Sequence, residues 1–285
     1  MLDAAPIHAA RIAPDPVAAQ ARGRGVGRVS VRLRDGVSRL AGLAQSGSAR
    51  VFLPQVQGPP QAVLLNTGGG LAGGDRFDWA AEAEAGADLT VTTQAAERVY
   101  RALPGTEARV TARLTLRAGA RLDWLPQETI LFERGALTRR LEIDMAEDAR
   151  LLAVEPLVLG RTAHGETVRD ARLADHWRLR RGGRLVWADG LRLTGAEDGR
   201  AALGPHRACA TLLLAAPDAA ARLDGLRGLL AGTGLNDGGV EAGASAWDGL
   251  LVARMLAPDG RALRARLVPV LEWLRGAPLP RVWTM

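Results

Sequence analysis

The densest run of chemically suggestive residues is Asn66-Thr-Gly-Gly-Gly-Leu-Ala-Gly-Gly-Asp75-Arg, with five glycines in seven residues. Such a loop resembles a phosphate cradle, which aims backbone N–H groups and a helix N-terminus at the anion. The P-loop pattern further demands Lys and then Ser or Thr after its last glycine. Here Asp75 stands in the lysine's place, and a carboxylate repels phosphate. The following FDWAAEAEAG reads as a strand rather than a helix. The loop is therefore expected to be a tight turn, or a backbone contact for a protein partner, whose glycines supply positive φ and close approach.

The four histidines, His8, His164, His176 and His206, lie far apart, and neither CxxC nor HExxH occurs. The close ligand spacing usual in a tetrahedral zinc site is missing. Carboxylates are more plentiful. Glu128, Glu133, Glu155 and Glu166 fall in or beside apolar strand-like segments, where an unpaired charge is costly to bury. One reading pairs them with nearby arginines, for instance Glu166 with Arg161. The other makes them a polar internal path, a weak transit site for a borderline divalent cation. Paired carboxylates on a β-solenoid, Glu128 or Glu155 serving as acid and base, could instead hydrolyse glycosides. The aromatics that line sugar clefts are scarce, which weighs against that alternative. There is no GxSxG elbow, and Cys209 sits in the apolar strand Ala208–Leu214, where a thiol is usually inert.

Positioning such groups falls to strands over the first two-thirds of the chain. Val29–Arg34, Leu89–Thr93 and Val110–Arg117 alternate apolar and polar residues with period two. Three segments share a strand, a small-residue corner and a second strand, with corner alanines Ala87, Ala120 and Ala149 spaced 33 and 29 residues apart. The expected fold is mainly β, a β-solenoid or layered β body with two C-terminal helices, although three degenerate copies are also compatible with ordinary hairpins. The first helix is expected from Asp218 as N-cap to Gly232 as stop, with Leu223, Leu226, Leu229 and Leu230 on one face. The second is expected from Gly260 to Arg275, capped by Asp259, burying Leu263, Leu267, Val270, Leu271 and Leu274, and ended by Gly276 and Pro278. Between them, Gly234–Gly249 reads as a loop and Leu250–Leu256 as a strand. The chain divides into a loose tail over residues 1–25 and a single domain over 26–285, β-rich to about 215 and helix-containing from about 216.

The 285 residues are 47% hydrophobic and 24% charged, ordinary values for a globular chain. The formal net charge of +6 would suggest nucleic acid, but all 37 basic residues are arginine and they are interleaved with acids. One Tyr and three Phe offer few base-stacking surfaces, so no nucleic-acid partner is expected. The first residues contain no apolar signal core, and no stretch approaches the ~20 apolar residues of a membrane span. A single cysteine fits a reducing compartment, hence an expected cytoplasmic location.

Four segments carry a family resemblance: Thr67–Asp75; Thr92-Thr-Gln-Ala-Ala-Glu-Arg-Val-Tyr100-Arg; Trp124-Leu-Pro-Gln-Glu-Thr-Ile-Leu-Phe132 with Glu155-Pro-Leu-Val-Leu-Gly-Arg161-Thr-Ala-His-Gly-Glu166; and Leu279-Pro-Arg-Val-Trp283. Their order and spacing, from about Gly27 onward, resemble the urease accessory protein family called UreD, or UreH in some bacteria. Arg98 stands where many relatives carry Lys. The resemblance implies a β-helical, non-catalytic scaffold that joins a helical partner, UreF, and a GTP-hydrolysing metallochaperone, UreG, and docks on apo-urease to assist nickel insertion. It implies no tightly bound cofactor, only nickel in transit through an internal passage. On that footing Asp75, Glu155 and Glu166 are the expected passage carboxylates, with Arg161 holding Glu166 and Glu128 in support. The C-terminal helices with Trp273, together with Trp283, are the expected partner interface.

Overall fold

The computed structural model describes residues 22–161, 165–195, 202–231 and 239–284. His8, His164, Gly232 and almost all of the expected tail lie outside them. Strands, numbered in chain order, form two facing sheets. The first is ordered β2 (Val37–Gly47), β1 (Arg24–Arg34), β5 (Arg76–Ala83), β8 (Ala108–Leu116), β11 (Ala136–Met145), β13 (Arg172–Arg181) and β14 (Arg184–Thr194). The second is ordered β3 (Ala49–Phe52), β4 (Gln61–Asn66), β6 (Asp88–Thr93), β9 (Arg121–Leu125), β12 (Arg150–Leu159), β15 (Ala208–Ala215), β17 (Leu250–Ala257) and β16 (Glu241–Trp247). Two short strands, β7 (Glu97–Val99) and β10 (Thr129–Leu131), extend the second sheet in parallel beside β12.

The central strands of both sheets pair in parallel, because each coil contributes one strand to each sheet before the chain climbs to the next. This is a β-solenoid, and the hairpin alternative is set aside. Its corners are the alanines of the repeat. Ala87, Ala120 and Ala149 are all at most 1% exposed. Arg121 N–H donates to the Ala87 carbonyl at 3.0 Å and Arg150 N–H to Ala120 at 2.8 Å, so the corners stack rung on rung. A side chain larger than methyl there would overpack a layer at a cost of about 1–3 kcal/mol. Antiparallel strands close both ends of the coil stack.

Two cores result. The first lies between the sheets, where Leu89, Leu114, Leu122, Leu141, Ile143 and Leu151 are at most 2% exposed. The second lies on the outer face of the second sheet, under helices α1 (Leu223–Leu230) and α2 (Gly260–Arg275). Strand β12 is thus buried on both faces, which explains why it is apolar from Leu151 to Leu159 except at Glu155.

Helix α2 runs as expected. The Asp259 carboxylate accepts from Ala262 N–H at 2.8 Å, and Gly276 closes the helix with φ of 70°. Its five expected core residues are all buried. Helix α1 differs at its start. Asp218 does not cap it; its oxygens accept from Arg150 at 2.6 Å and Arg222 at 2.8 Å, and the chain enters through a 3₁₀ turn at Ala220–Arg222. Paired arginines outcompete a backbone N–H for that carboxylate. The expected loop Gly234–Gly249 contains strand β16, an edge strand of small residues that pairs with β17. The rest of that segment to residue 238 is outside the described residues. Among the described residues, no helix is long and apolar enough to cross a membrane.

Candidate functional site

Strand parity places three ionisable side chains inside the first core. On β11, Arg139 shares the inward face of Leu137, Leu141 and Ile143; on β13, Asp175 shares that of Leu173 and Trp177. The two are direct register partners. On β12, Glu155 faces them with the parity of Ala153 and Leu157. Arg139 donates bidentately to Asp175, at 3.1 and 2.6 Å. Its third nitrogen donates to the Thr129 hydroxyl at 3.0 Å and, in a very short contact, to Glu155. The Trp124 indole N–H completes Glu155 at 2.8 Å.

The cluster contains one cation against two carboxylates, in a region where all three side chains are under 10% exposed. Burial drives the Glu155 carboxyl above its ordinary range, against the attraction of Arg139, and Asp175 adds to the upward push. The two carboxylates hold Arg139 firmly protonated. The surplus negative charge calls for a shared proton or a second cation. Cys209, nearby on β15, is buried and its thiol is pushed up to about 12, so it is an unreactive core residue.

A cavity of about 60 Å³ between the sheets is lined by Glu155, Arg139 and Thr129 together with Glu97, Thr93 and Trp79. A second cavity, about 210 Å³, shares Glu97, Thr93 and Trp79 and continues to Asn66, Gly69 and Gly70 of the glycine loop. Glu97 lines both, accepting weakly from the Asn66 amide at 3.3 Å. Burial raises its carboxyl to about 7. The glycine loop is a turn laced to β7. Leu71 and Tyr100 exchange backbone bonds with their neighbours at 2.7 and 2.8 Å, and Gly70 has φ of 148°. A Cβ at Gly70 would collide with the Tyr100 ring and come within 2.8 Å of the Arg98 carbonyl.

The expected site residues occupy three separate places. Asp75 is buried in the turn, its oxygens accepting from Gly23 N–H at 2.7 Å and Ala72 N–H at 2.8 Å. Glu155 belongs to the interior cluster. Glu166 lies in a surface pocket with Tyr100 and Phe132, bonded by Arg161 at 2.9 Å. That hydrogen bond holds the Glu166 carboxyl below its ordinary value. Glu128 is paired with Arg264 at 2.8 Å beside α2, on a different cavity from Glu155, so the two acids do not face each other across one cleft. Among the described residues no cluster of three or more His, Cys, Asp or Glu could hold a metal.

Trp273 is 38% exposed, with Arg222 over its ring, and can meet a partner. Trp283 cannot, which corrects the expectation: it is 3% exposed and its indole N–H donates inward to the Leu125 carbonyl at 3.1 Å. Arg139, Asp175, Thr129, Trp124 and Glu97 were not among the expected residues. The available signal was a charged residue at inward parity in each of two alternating strands.

The fold and this interior define a β-solenoid protein with a buried ionic cluster between its sheets. A family model described as UreD urease accessory protein matches residues 23–284. A urease accessory protein UreD from Methylobacterium sp. strain 4-46 is 53% identical over 270 residues, 92% of this chain and 95% of the relative. One from Xanthobacter autotrophicus is 50% identical, covering 94% and 95%. One from Rhizobium leguminosarum bv. viciae is 48% identical, covering 93% and 96%. The chain belongs to the UreD urease accessory protein family.

Proposed function

We propose that the chain is a non-catalytic scaffold for urease maturation, which with UreF and UreG docks on apo-urease and passes nickel inward by way of its interior. The observation that carries this reading is the excess carboxylate at Arg139–Glu155–Asp175, beside a cavity that shares Glu97 with the cavity lined by the glycine loop. Oxygen donors already engaged with protein groups bind a borderline cation weakly, as transit requires; a closed set of nitrogen and sulfur ligands would trap it. Glu155 and Glu166 are the carboxylates proposed to meet the ion. Asp75 keeps its loop in place and would contribute only if its backbone bonds opened. Trp273 is the proposed anchor for the helical partner. The glycosidase alternative would need Glu128 and Glu155 across one cleft, whereas they line different cavities.

The test is the nickel content and activity of urease co-expressed with its other accessory proteins, with and without this chain. Nickel-poor, inactive urease in its absence, restored by adding it back, is the expected result; equal nickel in both would overturn the reading. Glu166→Gln keeps the shape and removes the charge, so activation should fall while the assembly still forms.

A further inference from the structure

A broad concavity on the described surface shares Arg98 with the cavity behind the glycine loop. It is a groove of about 1170 Å³ along the N-terminal half of α2, between that helix and the ends of β10 and β12. Its volume exceeds the roughly 300–1,000 Å³ of small-molecule sites. The floor is apolar, built from Ile130, Phe132, Val158, Val268 and Pro269. Pro269 lies inside the helix and has no N–H, so the Ala265 carbonyl one turn earlier loses its helical donor. Both residues are exposed and line the groove, which therefore offers a backbone acceptor as well as apolar contact.

The charges around this floor are unbalanced. Four arginines line it, Arg98, Arg161, Arg261 and Arg264, against only Glu128 and Asp259. Both acids are committed: Glu128 to Arg264, and Asp259 to the first turn of α2. Arg161 is held by Glu166 with its guanidinium 4.8 Å over the Phe132 ring. Arg98 and Arg261 are exposed and form no ion pair among the described residues. The N-terminus of a sixteen-residue helix adds positive potential at the same end.

We propose that this groove docks an acidic amphipathic peptide segment of a partner protein, its apolar side chains on Ile130, Phe132 and Val268 and its carboxylates on Arg98 and Arg261. Charge complementarity selects the occupant. A basic or neutral segment would leave two arginines desolvated and unpaired, and a second copy of this chain would bring a surface equally rich in arginine. The inference does not depend on the nickel passage, because peptide binding is read on the isolated chain without urease.

The test is selection of short random peptides displayed on phage against the full-length chain, followed by fluorescence-anisotropy titration of the best binder. The expected result is peptides in which Asp or Glu alternates with Leu, Ile or Phe. Their affinity should drop about tenfold or more with Arg261→Glu, and equally with Ala265→Trp, which fills the groove from an exposed helix position. It should be unchanged with Arg113→Glu on the far sheet. Basic binders, no binders, or binders indifferent to both groove variants would overturn the proposal. So would self-association in sedimentation that Ala265→Trp abolishes, or an oligonucleotide that displaces the peptide.

Discussion

At the level of single residues, Arg139 and Glu97 carry the strongest physical consequences. Among the described residues Arg139 is the cation bonded to Asp175 and Glu155, so Arg139→Met would leave two buried carboxylates without it. A loss of about 3–5 kcal/mol is expected, measured by urea unfolding. Replacing all three ionisable groups with apolar residues of similar size should recover most of it, which separates the cost of an orphaned charge from that of lost packing. Glu97 affects stability through protons. Its carboxyl rises from the ordinary 4.5 to about 7 on folding. Between those values the folded chain binds more protons than the unfolded one, so stability falls as pH rises through that window and stays lower above it. Glu97→Gln removes the linkage. The variant should match the wild type near pH 4 and exceed it by up to about 3 kcal/mol at pH 8, read from melting curves at both. A wild-type curve flat from pH 4.5 to 7 would show that Glu97 ionises normally.

Among the elements, α2 and the C-terminal turn behave as one unit. Arg264 donates to the Trp283 carbonyl at 2.6 Å and stacks over its ring at 4.7 Å. Arg275 reaches Asp123 at 2.8 Å and Thr90 at 2.9 Å, tying the last turn of the helix to the second sheet. Trp283→Ala is expected to cost about 3–5 kcal/mol in thermal or chemical unfolding, as loss of a buried large aromatic does. A cost below about 1 kcal/mol would place Trp283 at the surface after all. The helix itself was legible because cap, stripe and stop agree: Asp259, five apolar residues at helical spacing, and Gly276. Helix α1 was misread at its start because Asp218 has arginine partners from a distant strand and from the following turn. Strand β16 escaped notice because EAGASAW is short of β-branched residues, and its pairing with β17 supplies what propensity does not.

Across the whole molecule, the solenoid converts a weak repeat into a regular stack, and the stack decides which faces meet. Sheets closed by antiparallel end strands enclose the ionic cluster, while the helical layer covers the outer face of the second sheet and forms one wall of the arginine-rimmed groove. Arg98 lines both the groove and the cavity behind the glycine loop, so the two adjoin at that side chain. On the exposed face of the first sheet, arginines pair with carboxylates across strands, as in Arg117–Glu82 at 2.8 Å and Arg113–Asp78 at 3.3 Å.

Period-two alternation, the small-residue corners, the caps of α2 and the motif blocks of the UreD family are all properties of short stretches of chain, so the amino-acid order alone determined them. The partnership of Arg139 with Asp175 and Glu155 depends on register between strands 36 and 16 residues away, and on which sheet face each coil presents. Glu155 shows the difference most clearly. Its charge in an apolar strand was visible at once, but whether it met a cation, a partner acid or solvent was decided by packing. Inward parity is set locally, whereas the residue opposite is set only when the coils stack.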